Sequence, residues 1–297
     1  MSSFLLLAIS RTLDRSALDR GWRTSDILQL ACWGTVHPCL TIILISTALE
    51  RSFDRKFSAV LWLLLGAASA IVGSMRLRTV QGFNRRRVKS GTLYVRTLHL
   101  AKKMGVRVKW IYVVPPGRGA LTNAFASWRS VALTDNFGEY LHGSQLDAVI
   151  AHELAHNKRK HSQKQVALLL LSVCGLTVLS FGLASFVTRY RCAFVLLFLL
   201  TIFLSYYGVS RRHEYEADRD AALLTENPEA EIRALVALYR KTNSPIENGR
   251  FVELFMSHPA LANRIVAIAH LGGMHRERIT KILADAGFTD DVLLATR

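Results

Sequence analysis

The sequence predicts a mainly α-helical membrane protein: four transmembrane helices and a cytoplasmic helical domain that carries a small β-sheet. Three observations predict it. Four apolar runs, Ile27–Leu49, Phe57–Met75, Val166–Val187 and Cys192–Ser210, contain no Asp, Glu, Lys or Arg. Each is close to the ~20 residues a helix needs to cross the hydrocarbon core. Outside these runs the chain reads largely at helical spacing. Short β-rich stretches between 106 and 134 supply the sheet.

In chain order, residues 1–26 form an N-terminal cytoplasmic, interfacial segment. The apolar patch Phe4–Ile9 is followed by Arg11, Arg15, Arg20 and Arg23. No basic residue precedes the patch and no small-residue cleavage site follows it, which argues for a helix lying at the membrane surface rather than a cleaved signal peptide. Residues 27–75 form the first transmembrane hairpin. Its first run is the weaker, because His37 and Pro38 allow a kink or a partial span.

The chain has 297 residues, 51% of them apolar, and a net charge of +16. That excess is localised. Eleven Lys or Arg fall in Arg76–Lys109, whereas the link Glu50–Lys56 balances three bases with two acids. The positive-inside rule therefore puts the N-terminus, residues 76–165 and residues 211–297 in the cytoplasm. The expected location is an integral, multi-pass membrane setting. Basic residues beside spans serve topology and lipid contact. No aromatic-basic motif accompanies them, so nucleic acid is not an expected partner. Cys32, Cys39, Cys174 and Cys192 lie in or beside the apolar runs without a C-x-x-C pair and read as small packing residues.

Residues 76–165 hold the first half of the cytoplasmic domain. Ser90–Met104 reads as an amphipathic helix ending near Gly105, and Val106–Val114 as a strand closed by Pro115-Pro116-Gly117. Asn123–Ser127 and Ser130–Thr134 read as a strand pair turning at Trp128-Arg129. The second hairpin, 166–210, separates this half from residues 211–297. There helices are expected at Glu229–Lys241, Pro259–Leu271 and Arg276–Ala286, with Asn248-Gly249 opening a lid or loop over Phe251–Met256.

The chemistry is concentrated in Ala151-His152-Glu153-Leu154-Ala155-His156, within Asp147–Lys160. Leu146, Val149, Ile150 and Leu154 recur at helical spacing, with no Gly or Pro among them. Residues four apart share a helix face, so His152 and His156 can offer two imidazole nitrogens to one Zn²⁺. Glu153 sits roughly 100° further round, where its carboxylate can reach a water at the metal. An H-E-x-x-H match arises by chance about once in 100 chains of this length, so the motif needs a third ligand.

The third ligand must face the same compartment, an even number of spans away. Arg211-Arg212-His213-Glu214-Tyr215-Glu216-Ala217-Asp218 follows the fourth run directly. Glu214 and Asp218 share a helix face, so Glu214 can complete a His₂Glu set while Asp218 supports a ligand histidine. Geometry alone leaves Glu216 and His213 as substitutes.

HELAH, a membrane hairpin and then Glu-Tyr-Glu-Ala-Asp resembles the HtpX and CAAX prenyl protease type-1 family of integral-membrane zinc metallopeptidases. Asn123-Ala124-Phe125-Ala126 is similar to that family's N-A-F-A segment. Ser257-His258-Pro259 with Arg264 is similar to its S/T-H-P segment and following Arg; Ala260 stands where many relatives have a second Pro. The resemblance covers roughly Arg85 to Ile268. It implies a zincin-like catalytic domain in two parts, with one Zn²⁺ per chain and Glu214 rather than Glu216 as third ligand. It places Asn123, Ala124, Phe125, His258 and Arg264 near substrate, His258 also as a catalytic donor to the oxyanion.

The expected activity is zinc-dependent hydrolysis of peptide bonds in membrane or membrane-adjacent proteins, in quality control or processing. Glu153 serves as general base toward metal-activated water. Protein or peptide substrates and the lipid bilayer are the expected partners. Two alternatives are weighed beside it: a non-enzymatic zinc-stabilised scaffold, in which Glu153 is dispensable, and a regulatory protease dedicated to one signalling partner.

Overall fold

A computed structural model describes residues 86–114, 124–127, 129–135, 137–141, 143–182, 189–242, 246 and 249–288. The chain divides into two compact units, one of residues 1–83, 117–120 and 170–202, the other of residues 84–116, 121–169 and 203–297.

The second unit contains the sheet. Its strands β1 (Arg86–Val88), β2 (Trp110–Val114), β3 (Ala124–Ser127) and β4 (Ser130–Thr134) stand in the order β1-β2-β4-β3. The β1–β2 and β3–β4 pairs are antiparallel, and β2–β4 is parallel. Ser127 pairs with Ser130, the tight reversal expected around Arg129. Val131 and Leu133 of β4 are buried.

Helix α1 (Thr92–Met104) stops at Gly105, whose φ of 74° is left-handed. The Val106 N–H reaches Ala101 O at 2.8 Å and the Gly105 N–H reaches Lys102 O at 3.1 Å. This pair of bonds satisfies the last carbonyls of the helix, and glycine adopts the required φ without a Cβ penalty. The chain then turns into β2. Arg96 anchors α1 to the next long helix through Asp147, with Nε–Oδ1 at 2.7 Å and Nη2–Oδ2 at 2.6 Å.

A short α2 (Phe137–Tyr140) leads into α3 (Ser144–Lys158), the centre of the unit. Eight consecutive residues of α3, Ala148 to Ala155, are buried. A helix covered on every side is a core helix rather than a surface one. Ile150 and Leu154 are fully buried, contributing about 1.5–3 kcal/mol each. Alanines at 148, 151 and 155 let neighbouring elements approach. The same burial removes His152 and Glu153 from water, so these two polar side chains must find partners inside the protein.

Those partners come from the C-terminal half. Helix α4 (His161–Gly182) follows α3, and α5 (Arg191–Thr225) is one continuous 35-residue helix that carries the Glu-Tyr-Glu-Ala-Asp segment in its later turns. Asn227 caps α6 (Pro228–Thr242), its Oδ1 accepting from the Ala230 N–H at 2.9 Å. Pro228 occupies the first turn, where a missing N–H costs nothing. Helices α7 (Arg250–Glu253), α8 (Leu261–Leu271) and α9 (Arg276–Asp285) complete the order. Ile232, Val236, Leu261, Ile265, Ile268 and Ile282 form their core.

In the first unit the described residues are helical. Ile27–Leu49 and Phe57–Met75 lie outside the described residues. Counting only residues whose side chains are described, no helix is long and apolar enough to cross a membrane. The described parts of the other two runs lie in α4 and α5, where Leu171, Val178, Leu196 and Leu197 are exposed.

Candidate metal and active site

His152 and His156 lie one turn apart on α3, and their Nε2 atoms are 3.0 Å from each other. Glu214, on α5, brings Oε2 within 3.6 Å of His152 Nε2 and Oε1 within 3.6 Å of His156 Nε2. All three donor atoms fall within 4.8 Å of one another. Ligands about 2.0–2.2 Å from a tetrahedral zinc stand roughly 3.3 Å apart, so this donor set fits the ion. Two imidazole nitrogens and a carboxylate turned toward one point in a buried site are best reconciled by a cation between them.

Each of the two histidines has a backing group on its other nitrogen. His152 Nδ1 lies 2.9 Å from Asp218 Oδ1, close but out of line for a linear hydrogen bond. Asp218 in turn receives two bonds from Arg264, Nε–Oδ2 at 2.8 Å and Nη2–Oδ1 at 2.6 Å. His156 Nδ1 lies 2.8 Å from His161 Nδ1, and His161 Nε2 lies 3.3 Å from Glu216 Oε2. Glu216 is acceptor-only when ionised, so His161 Nε2–H donates a hydrogen bond to it. His161 Nδ1 is then an acceptor for His156 Nδ1–H, which leaves His156 Nε2 a bare lone pair. Arg159 and Arg212 hold Glu216 in place at 3.2 and 3.1 Å. Glu216 and His213 are thus drawn into this supporting network, His213 stacking on His161 with centroids 3.9 Å apart.

The electrostatics follow from burial and neighbours. Burial pushes the Glu153 carboxyl up to about 7, against the pull of His152. Burial, reinforced by the His152 charge, pushes His156 down to about 3. Burial would also raise Glu214, but His258, His152 and Arg264 hold it well below the usual carboxylate range. Burial would lower His152, yet the adjacent carboxylates of Asp218 and Glu214 raise it well above its ordinary value.

A cavity of about 380 Å³ opens onto these groups. His152, Glu153, His156 and Glu214 line it, with Ala124, Phe125 and Ala126 of β3, His258 and Arg264. His258 is 58% exposed and sets Nδ1 2.9 Å from Glu214 Oε2. Arg264, expected near substrate, is buried and directs its guanidinium to Asp218, with Glu214 3.4 Å away. Asn123 lies outside the described residues.

Two groups carried no sequence signal. His161 lies five residues beyond His156, outside the H-E-x-x-H pattern. Glu231, on α6, is buried with Oε1 3.7 Å from His152 Nδ1, and among the described residues its Oε2 has no hydrogen-bond partner. Burial and the nearby Asp218 charge push it up to about 8, so it adds no negative charge at neutral pH. A buried acid in a polar-and-apolar helix register looks like any surface Glu in the sequence.

Residues 89–271 match the family model described as Peptidase family M48. The chain is similar to the Protease HtpX homolog of Pseudarthrobacter chlorophenolicus, 26% identical in a 254-residue alignment that covers 73% of this chain and 87% of that protein. It is similar to the Protease HtpX homolog of Nostoc punctiforme, 30% identical in a 215-residue alignment that covers 60% of this chain and 73% of that protein. Its fold is similar to the crystal structure of S. mikatae Ste24p, with a TM-score of 0.55 at 18% identity, over 82% of this chain and 65% of that one.

Proposed function

This chain belongs to peptidase family M48 and is a protease, and on that premise we propose that it is a zinc-dependent endopeptidase of membrane or membrane-adjacent proteins. The observation that carries the reading is the convergence of His152, His156 and Glu214 beside the buried carboxyl of Glu153 in one cavity. Two nitrogens and one carboxylate favour zinc over harder cations. The ion would be held by His152 Nε2, His156 Nε2 and Glu214, one per chain. When bound it supplies a Lewis acid that acidifies water and polarises the scissile carbonyl.

The remaining work falls to the chain's own side chains. Glu153 accepts the proton of the attacking water on its carboxylate and delivers it to the leaving amine. Its burial suits it to both, because a carboxyl poised near neutrality can take and return a proton. His258, at the exposed side of the cavity, donates to the developing oxyanion. The substrate runs extended along β3, the terminal strand of the sheet order and a wall of the cavity. Asn123, Ala124 and Phe125 fix its backbone. Asp218 and Arg264 hold the ligand histidine and the third ligand in register.

The four apolar runs are proposed spans, with the active site at the cytoplasmic face of a bacterial inner membrane. Catalytic residues 76–165 and 211–297 then flank the inserted hairpin 166–210. The expected role is quality control or processing.

The test is cleavage of an unfolded membrane protein by purified protein, wild type beside Glu153→Gln, with zinc content assayed in both. Cleavage by wild type alone, at equal zinc, is the expected outcome. Cleavage surviving in zinc-loaded Glu153→Gln would remove Glu153 as base. No cleavage by either at full zinc would favour a zinc-stabilised scaffold.

A further inference from the structure

The segment between α6 and α8 presents apolar side chains to the outside. Phe251 is 73% exposed, Val252 45% and Leu254 43%. Nothing in the cavity chemistry uses them. Their backbone is nonetheless firmly held. Arg211 Nη1 donates to the carbonyl oxygens of Glu253, Leu254 and Met256 at 2.8, 3.2 and 3.0 Å, closing the end of α7. From the other side the Glu253 carboxylate accepts from the Ala260 N–H at 3.1 Å and Asn263 Nδ2 at 3.3 Å. The apolar side chains therefore project from a braced base.

The position of that base decides what meets them. Phe251 packs on Phe255 with centroids 5.2 Å apart, and Phe255 packs on Phe203 of α5 at 5.7 Å. Phe203 belongs to the last turns of the uncharged run Cys192–Ser210, so the patch packs against the C-terminal end of that run. Arg211 and Arg212 follow immediately, and Arg212 is largely exposed. Apolar side chains beside a basic collar are the composition of a surface that rests in the headgroup region of an anionic bilayer. Exposed apolar patches with a charged rim mark interaction sites rather than ordinary surface.

We infer that residues 251–254 are a membrane-interface anchor, inserting Phe251, Val252 and Leu254 among anionic lipid headgroups beside the end of the fourth apolar run. This inference rests on the proposed membrane setting of that run. The anchor leads within a few residues to His258, which touches Glu214. It thereby fixes the cavity at the bilayer surface and selects peptide bonds emerging from the membrane.

The test places the photo-crosslinker benzoylphenylalanine at Phe251, Leu254, Leu197 or Lys281 in the full-length protein, reconstituted in phosphatidylcholine vesicles containing phosphatidylglycerol. Phospholipid adducts are expected at 251, 254 and 197 and not at 281, which lies exposed on α9. Adducts at 197 without any at 251 or 254 would overturn the anchor while leaving the membrane setting intact. Failure at 197 as well would overturn both. Crosslinks from 251 to an added protein substrate in place of lipid would make the segment a substrate lid and overturn the anchor. In parallel, the double variant Phe251→Asp/Leu254→Asp should cut a bilayer-embedded substrate about tenfold more slowly while a soluble peptide is cut at the wild-type rate. Equal losses on both substrates would overturn the assignment.

Discussion

Arg264 and Asp218 form a two-bond ion pair buried on both sides, at 2.8 and 2.6 Å. The pair links α8 to α5, and the same Asp218 oxygen that takes the shorter bond lies 2.9 Å from His152 Nδ1. The guanidinium therefore acts on the proposed metal site through the carboxylate. Replacing Arg264 by Met leaves Asp218 buried and uncompensated, which costs about 3–5 kcal/mol. The expected outcome is a clear drop in melting temperature. Adding Asp218→Leu should recover most of the stability and none of the activity, because the histidine support is then gone. A single variant as stable as wild type would contradict this role for the pair.

His156, the second proposed ligand, gives a parallel prediction. His161 stands 2.8 Å behind His156 and hands the orientation of that ring on to Glu216. Removing an outer partner of a ligating histidine typically costs 10–100-fold in metal affinity. His161→Phe keeps the ring volume and should lose zinc affinity by about that factor, measured by chelator competition. Glu216→Gln still offers an acceptor oxygen and should lose less. Unchanged affinity in His161→Phe would mean that the imidazole serves packing alone.

Glu231 predicts a pH-dependent stability. Its folded-state value of about 8 lies above the ordinary 4.5. Between those values the folded protein binds the proton that the unfolded chain has lost, so this group lowers stability progressively as pH rises. Glu231→Gln removes the titration. In metal-free protein its gain in melting temperature should be small at pH 5 and larger at pH 8.5. An equal gain at both would show that the carboxyl titrates normally.

Much of this site was legible because the residues that carry it obey local periodicity. His152 and His156, and likewise Glu214 and Asp218, are four apart on helices, so each pair could be placed on a face before any fold was known. The strand pair 124–127 and 130–134 was legible from its turn and its β-rich composition. Helix α1 could be ended at Gly105 for the same kind of local reason. His161 and Glu231 were not legible, because their roles depend on α4 and α6 meeting α3, a long-range arrangement that leaves no spacing in the sequence. Arg264 was placed near substrate by resemblance; its bond to Asp218 depends on how α8 crosses α5. The segment Phe251–Met256 reads as a lid or loop in the sequence, whereas the structure makes Arg250–Glu253 helical and ties its end to Arg211 across the fold, a contact that leaves no local spacing.

The charge balance among the candidate metal ligands gives the last prediction. His152 is raised well above its ordinary value; burial opposes this, but Asp218 and Glu214 outweigh it. A nitrogen that binds zinc cannot keep its proton, so metal and proton compete for the same lone pair. His156, already pushed down to about 3, has no proton to lose at neutral pH. Zinc binding should therefore release one proton from the histidine pair at pH 7, and affinity should rise roughly tenfold per pH unit until His152 is neutral. Calorimetry in two buffers of different ionisation enthalpy measures the proton count directly. Asp218→Asn withdraws the charge that holds the proton on His152, so it should bring the release at pH 7 toward zero. Release that stays at one proton in that variant would assign the proton to another group, with the Glu153 carboxyl, poised near 7, the first to examine.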